Sequence, residues 1–534
     1  MPPRSRTLGA LLDETARTRP DADAVLFRDQ RLTYGALRAR ADELARALLA
    51  AGVGQGDRVA VLLPNRPEWL IAAFASARLG AITVGVSTFS APREIAWTLD
   101  HCRPAAVITM ESFRGRSYLE PLYAACPELA TSSPGELRSE RLPELRAVIS
   151  IDERRHDGVY RLRDFVDRAS AVRGDALHAA AVTPADPCYI LYTSGSTATP
   201  KGVVLGHGGV IENGFDIGER MHLTAADRVW LAVPLFWSFG SANALPAILS
   251  HGGSIVLQES FEPGEALALL DEQRCSVYYG MANMARAMLE HPDRGRRALA
   301  AMRTGLTIGL PEDVQMTMEA VAARELCNVY GSTETYGNCA VTDAHDDLAL
   351  RLETQGRPLP GMTIRVVDPE SGAPLRPGEV GEFRVKGHVT PGYYEDAEQT
   401  RAAFDADGHF ITGDLGMIGH DGRVRFRGRL KEMIKTAGMN VAPLEVEAVL
   451  LSHAAVKQAY VVGVPDRARG ELVVAAVELR EGAPATAEAL AVFCRERLAG
   501  YKVPARFVFR KADEFPRTPT GKVQKPRLRE ELGP

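Results

Sequence analysis

The sequence predicts an α/β protein: a large N-terminal part built on largely parallel sheets, a small β-rich unit, and a smaller α+β C-terminal domain. Three observations predict it. Up to about residue 330, short apolar runs alternate with stretches of helical apolar spacing, the pattern of strands joined by helices. From about residue 355 the runs become short and alternating, separated by Gly, Asp and Pro. After about residue 431 a compact α+β pattern begins, and a boundary near 428–431 leaves a C-terminal domain of about 105 residues. A chain of 534 residues is too long for one core, so three or four packed units are expected.

The elements follow in chain order. "YGALRARADELARALLAAG" has helical spacing and closes at Gly52, a C-cap candidate. "DRVAVLLP" reads as a buried strand, "EWLIAAFASARLG" as a helix and "PAAVITM" as a strand. Further on, "RVWLAVPLF", "GGSIVLQE" and "CSVYYG" read as strands, with helices at "GEALALLDEQR" and "VQMTMEAVAAREL". "TIRVVDP", "GEVGEFRVKG" and "GRVRFRGRL" form the β-rich unit. "LEVEAVLLSH", "VKQAYVVGVP", "GELVVAAVEL" and "AEALAVFCRERL" complete the α+β tail.

Composition excludes several classes. The net charge of −5 and the lack of a long like-charge run argue against nucleic acid as a partner. Seven cysteines show no CxxC spacing, as expected of reduced thiols in a cytoplasmic protein without a disulfide framework or zinc site. The N-terminus lacks a signal-peptide core, because Asp13 and Glu14 interrupt it. The most apolar stretch, "WLIAAFASARLGAITVGV", carries Arg78 and is too broken to span a bilayer, so no membrane partner is expected. Only nine of the 63 basic residues are lysine. A loop lysine here therefore stands out as a compact point charge where arginine is the default.

One such lysine closes "YTSGSTATPKG" at 192–202, in which six residues carry hydroxyls. Apolar strands flank this run, which places it at a strand end, where open α/β sheets bind ligands. Gly195 and Gly202 free the backbone, Thr193, Ser194, Ser196 and Thr197 offer hydroxyls, and Lys201 adds a cation. That set suits phosphate oxygens; a solvated hairpin turn is the alternative. It is not a Walker loop, because GxxxxGK[ST] is absent.

The loop resembles the phosphate loop of the adenylate-forming superfamily, which includes acyl-CoA synthetases, aryl-CoA ligases, adenylation domains of peptide synthetases and luciferases. Five further motifs follow in the family's order: "NVYGSTET" at 328–335, "TGDLG" at 412–416, "GRLKEMIKTAGMNVAPLEVE" at 428–447, "VVGVPDRARGE" with "LAGYKVP", and "PRTPTGKVQK" at 516–525. The resemblance implies an N-terminal adenylation domain over 1–428 that includes a small β-barrel, a hinge at 429–431, and a mobile C-terminal domain over 432–534. It implies ATP, Mg²⁺ and CoA, with a small-molecule carboxylate joined to AMP and passed to a thiol. A free-standing carrier protein or an amine is an alternative acceptor, atypical acids such as nitrite are alternative substrates, and a catalytically lapsed nucleotide-binding protein is a third reading.

By the same resemblance, Thr193, Ser194, Gly195, Ser196, Thr197 and Lys201 would hold the β- and γ-phosphates, and Thr333 the α-phosphate. Glu334 would bind Mg²⁺, and Tyr330, with Asn328 and Gly331 beside it, would stack on adenine. Asp414 and Arg429 would hold the ribose. Lys522 would bridge the carboxylate and the α-phosphate, Lys431 would be the pivot, and Lys435 would belong to the face used for thiol attack. Trp237, Phe239, Gly305 and Thr307 are expected to line the acyl pocket, with Tyr279, Met281 and Met284 as further apolar walls. Three departures stand out: Ala198 where the family loop carries glycine, Trp237 where many relatives carry histidine, and the bulk of Leu306 and Ile308 along the pocket floor.

Overall fold

The structure is a computed structural model that describes residues 3–173, 176–177, 181–193, 200–437, 439–467, 469–518 and 521–533. Alternating helices and strands build two large sheets. One runs, strand by strand, Arg357–Pro358, Ala340–Val341, Glu325–Tyr330, Thr304–Thr307, Val277–Tyr279, Arg228–Leu231, Ser254–Leu257, Asp23–Phe27 and Gln30–Thr33. Its pairs from Glu325–Tyr330 through Asp23–Phe27 are all parallel. The other orders Lys201–Gly206, Pro187–Thr193, Ile82–Gly85, Arg58–Val61, Ala106–Thr109, Ala147–Ser150 and Tyr160–Arg161. It is parallel except for the hairpin between its first two strands.

Local sequence explains the element ends. The helix Pro67–Leu79 starts on Pro67, whose missing N–H is an orphan at that position, and stops at Gly80, whose φ of +67° suits glycine. Almost all of it is buried, and it leads into the strand Ile82–Gly85, which accounts for the most apolar stretch of the chain. Arg78 inside that stretch is held by Asp13 and by Asp42, whose Oδ1 lies 2.8 Å from Arg78 Nε. No described helix is long and apolar enough to cross a membrane. The helical reading of 314–326 is too long: the helix Pro311–Val321 ends at Ala322 in the left-handed region, and Glu325–Tyr330 is a strand. Leu326 and Cys327 pair with Gly305 and Leu306 across a buried parallel ladder, and that burial overrides the helical spacing.

The β-rich unit is a four-stranded antiparallel meander of Thr363–Val367, Gly381–Lys386, Phe410–Ile418 and Val424–Arg429, and its outer strands do not pair with each other. Beyond it, Met439–Val441, Ile434–Thr436, Gly470–Leu479, Val456–Asp466 and Arg506–Phe509 form a separate sheet. The apolar core divides accordingly. One large cluster runs from Leu8 to Val424, and two small ones lie between Ile434 and Leu532 on the two faces of the last sheet. All seven cysteines are buried and free.

Candidate active site

Four segments carry the expected site residues, two of them at the carboxyl ends of strands in the two large sheets. The hairpin Pro187–Thr193/Lys201–Gly206 places Thr193 opposite Lys201, so these two residues frame the mouth of the polar loop. Ser194, Gly195, Ser196, Thr197 and Ala198 lie outside the described residues. Just before that mouth the Tyr192 hydroxyl sits 2.7 Å from His101 Nδ1, and His101 stacks on Trp97.

The strand Glu325–Tyr330 supplies the second segment. Asn328 is fully buried and its amide donates to the Gly309 carbonyl, tying this strand to the segment that follows its neighbour. Gly331 allows a close crossing: a Cβ there would lie 2.4 Å from the Gly337 carbonyl oxygen. The 3-10 turn Thr333–Thr335 follows. Thr333 Oγ1 lies 3.2 Å from Ser238 Oγ, and Glu334 Oε1 accepts from the Tyr393 hydroxyl at 3.1 Å.

The third segment is the antiparallel pair Phe410–Ile418/Val424–Arg429, whose register sets Asp414 opposite Arg429. Asp414 Oδ1 lies 3.2 Å from Arg429 Nε, and Oδ2 accepts from the Tyr330 hydroxyl at 2.9 Å. The Asp414 side chain is only 5% exposed. Burial raises its pKa above the usual aspartate value, Arg429 and the Tyr330 hydroxyl opposing. Tyr330 is buried, its ring against Phe383 and Phe426. With its hydroxyl on Asp414, Tyr330 joins the β-rich unit to the large sheet.

The fourth segment comes from the C-terminal part. The Lys522 carbonyl accepts from the Thr518 N–H at 2.8 Å, and the Lys522 N–H donates to Thr518 Oγ1 at 3.1 Å, closing a tight turn through Gly521 at φ +82°. A Cβ on Gly521 would come 3.0 Å from the Asn283 amide, so this turn sits against the N-terminal part. Lys457 makes a second crossing, with Nζ 3.0 Å from Glu290 Oε1. Lys522 is exposed as a residue, yet its ammonium is crowded by protein. That partial desolvation, and then the nearby Arg429 charge, lower its pKa, while Glu432 and Asp414 pull the other way.

The structure thus gathers Tyr330, Asp414, Arg429 and Lys522 at one end, and Lys201, Thr333 and Glu334 at the other. Lys431 is exposed in the 3-10 turn Leu430–Glu432, and Lys435 is exposed on Ile434–Thr436. Of the pocket residues, Trp237 is half-buried beside Phe89 and Phe236, and Phe239 is buried against Tyr279. Register pairs Leu306 with Tyr279, so Gly305 and Thr307 occupy the opposite face of their strand. Ile308 is 41% exposed rather than part of a buried floor, since the strand ends at Thr307. Gly305 admits no side chain there, because a Cβ would meet the Tyr278 carbonyl oxygen at 2.3 Å. An open cavity of about 590 Å³ lined by Ser132, Arg155, Tyr160 and Asp164 shares no residue with this site.

Three participants escape sequence reasoning. Ser238 meets Thr333 from another segment, and Tyr393 lies in "TPGYYED", a stretch with no apolar period. Lys525 is held by Glu447 at 2.8 Å and by Glu432 at 3.5 Å, beside the Lys522 turn. The lysine pair in "GKVQK" is the signal that could have exposed the last of these.

A family model described as AMP-binding enzyme matches residues 12–394, and one described as AMP-binding enzyme C-terminal domain matches residues 445–522. The protein YngI of Bacillus subtilis (strain 168) is 37% identical over 98% of this chain and 96% of its own length. The medium-chain acyl-CoA ligase ACSF2, mitochondrial, of Danio rerio is 32% identical over 99% of this chain and 89% of its own. The crystal structure of ATP-bound MatB from Rhodopseudomonas palustris superposes with a TM-score of 0.84 at 27% identity, covering 98% of each chain.

Proposed function

This chain belongs to the AMP-binding enzyme family, and we propose that the two groups of residues just described serve its two-step reaction. It is an ATP-dependent, AMP-forming acid–CoA ligase. A carboxylate oxygen attacks the α-phosphorus of ATP and pyrophosphate leaves. The CoA sulfur then attacks the acyl carbonyl, and AMP leaves. The first step forces two anions together, so preplaced donors and cations carry the catalysis.

Residues 1–428 form the adenylation lobe, 429–431 the hinge and 432–534 the moving lobe. Thr193 and Lys201, with the hydroxyls of 194–197, hold the β- and γ-phosphates, and Thr333 bonds the α-phosphate. Asp414 and Arg429 hold the ribose hydroxyls, with Tyr330 beside the adenine. Lys522 neutralises the oxygens that come together. Glu334 suits Mg²⁺: its half-buried carboxylate offers hard oxygen donors, and only the Tyr393 hydroxyl hydrogen-bonds to them among the described residues. Bound there, the ion would screen the phosphate charge. The observation that carries this reading is that the Gly521–Lys522 turn of the C-terminal lobe packs against Asn283, with the Arg429 and Asp414 charges acting on the Lys522 ammonium.

The half-buried and buried aromatic side chains Trp237, Phe239 and Tyr279 favour a medium-chain or aryl acid. The test is a carboxylate panel read by pyrophosphate release, with and without CoA. The expected result is release with medium-chain or aryl acids and CoA consumed in equal amount. Release without CoA consumption would assign the acyl group to a carrier thiol or an amine, and no release with any acid would overturn the reading.

The pH profile of kcat/KM for ATP is a second test. Asp414 binds ribose as the anion and its pKa is raised, so the acid limb begins above the range of an ordinary aspartate. Lys522 acts as the cation and its pKa is lowered, so the alkaline limb begins below that of a free lysine. Asp414→Asn is expected to remove the acid limb from a weakened enzyme. An acid limb unchanged in that variant would remove Asp414 from its role.

A further inference from the structure

We propose that Tyr393 is a positioning residue for carboxylate activation: its ring face holds the Lys201 ammonium while its hydroxyl orients the Glu334 carboxylate. The inference rests on the assignment of Lys201 to phosphate and Glu334 to Mg²⁺. Lys201 Nζ lies 4.9 Å from the centroid of the Tyr393 ring, and the Tyr393 hydroxyl donates to Glu334 Oε1 at 3.1 Å. One side chain therefore touches the cation and the anion that would grip the magnesium triphosphate from two sides.

The backbone around Tyr393 is fastened to both elements it serves. The Gly392 carbonyl accepts from the Val204 N–H, and the Tyr394 N–H donates to the Gly202 carbonyl at 2.8 Å, which pins the segment to the strand that begins at Lys201. Thr390 Oγ1 adds a bond to the Val204 carbonyl at 2.7 Å. On the other side the Thr390 N–H donates to the Glu334 carbonyl at 2.6 Å. Tyr393 is itself fixed, its N–H donating to Thr400 Oγ1 at 2.9 Å. Gly392 has a φ of +149°, and a Cβ there would lie 2.5 Å from Thr400 Cγ2, so the chain passes too close for any side chain.

The physical sense is separation as well as contact. A lysine and a glutamate this near a shared partner would neutralise each other if they met directly, and neither would then be free for the ligand. Among the described residues Lys201 and Glu334 form no ion pair; the aromatic ring occupies the place of that contact. An aromatic face attracts a cation without removing its charge. A neutral hydroxyl orients a carboxylate without supplying a competing cation.

The experiment separates ring from hydroxyl. Tyr393→Phe keeps the ring, and it is expected to raise the Mg²⁺ concentration for half-maximal pyrophosphate release roughly tenfold with little change in kcat at saturating metal. Tyr393→Leu removes both contacts and is expected to raise KM for ATP by a further factor of about three to ten. Calorimetric titration with α,β-methylene-ATP gives a readout independent of turnover. Tyr393→Phe should weaken binding in Mg²⁺ but not in EDTA, whereas Tyr393→Leu should weaken it in both. Thioester formation from supplied acyl-adenylate and CoA should stay near the parent rate in both variants.

Glu334→Gln and Lys201→Ala are measured in parallel. If Glu334→Gln leaves the Mg²⁺ response unchanged, the assignment of the metal and this inference both fall. If Glu334→Gln shifts that response and Tyr393→Phe does not, this inference alone is overturned. Equal loss in both half-reactions with a lowered Tm would make Tyr393 a scaffold residue and would also overturn it. Adding Tyr393→Phe to Glu334→Gln should shift the Mg²⁺ response no further, and a full additive shift would contradict the coupling.

Discussion

Replacing Lys522 by alanine is expected to slow pyrophosphate release roughly 10²–10³-fold, the usual loss when one preorganised donor is removed from a charged transition state. Thioester formation from supplied acyl-adenylate should suffer far less. The reason is geometric. The Lys522 ammonium is sensitive to Asp414 on the strand Phe410–Ile418 and to Arg429 beside Lys431, so this arrangement suits carboxylate–phosphate chemistry rather than thiol attack. Its lowered pKa is that of a cation held in partly desolvated surroundings next to Arg429, where a ligand's negative charge would be strongly attracted. Rapid-quench measurement of each half-reaction decides the point. Equal damage to both would remove Lys522 from its role, and an unaffected first step would relocate the charge neutralisation to Arg429.

Replacing Lys431 by proline is expected to slow thioester formation roughly 10²-fold, the scale on which misplaced reacting groups lose rate, and to leave adenylation near the parent level. Lys431 is exposed and occupies the middle of the 3-10 turn between Arg429, which pairs with Asp414, and Ile434, which begins the C-terminal core. A 3-10 backbone has φ near that of proline, so the present arrangement tolerates the substitution. Any second arrangement reached by rotating φ at this residue does not. Among the described residues, polar contacts of the present arrangement include Lys457 on Glu290 and the Gly521 turn on Asn283. Single-turnover transfer of a preformed adenylate to CoA measures the step, and an undiminished rate would place the pivot elsewhere.

Much of this was legible in the sequence because the signals are local. The apolar runs around "TSGSTATPK" demanded a strand on each side, and the structure pairs them as a hairpin with Thr193 on Lys201. The helix read at "EWLIAAFASARLG" lies at Pro67–Leu79, within a residue at each end. Where local pattern and burial disagreed, burial prevailed: the 314–326 stretch has helical spacing throughout, yet its last residues are a strand because a buried parallel ladder receives them. The pocket floor misled for a similar reason. Nothing in "TGLTIG" shows that the strand stops at Thr307 and turns Ile308 outward.

Written into the chain are the chemistry available and its order: a polar loop closed by a rare lysine, a glutamate after a glycine turn, an aspartate in a second turn, and a lysine near the end. Which of these meet is set by the packing of distant segments. Tyr330 reaches Asp414 across 84 residues, and Tyr393 reaches Glu334 across 59. Side-chain periodicity reports which face of its own element a residue occupies and carries no record of what packs against that face. That partner is chosen by the order of strands in a sheet and by the crossings between segments, such as the one Gly331 permits, which are properties of the packed whole.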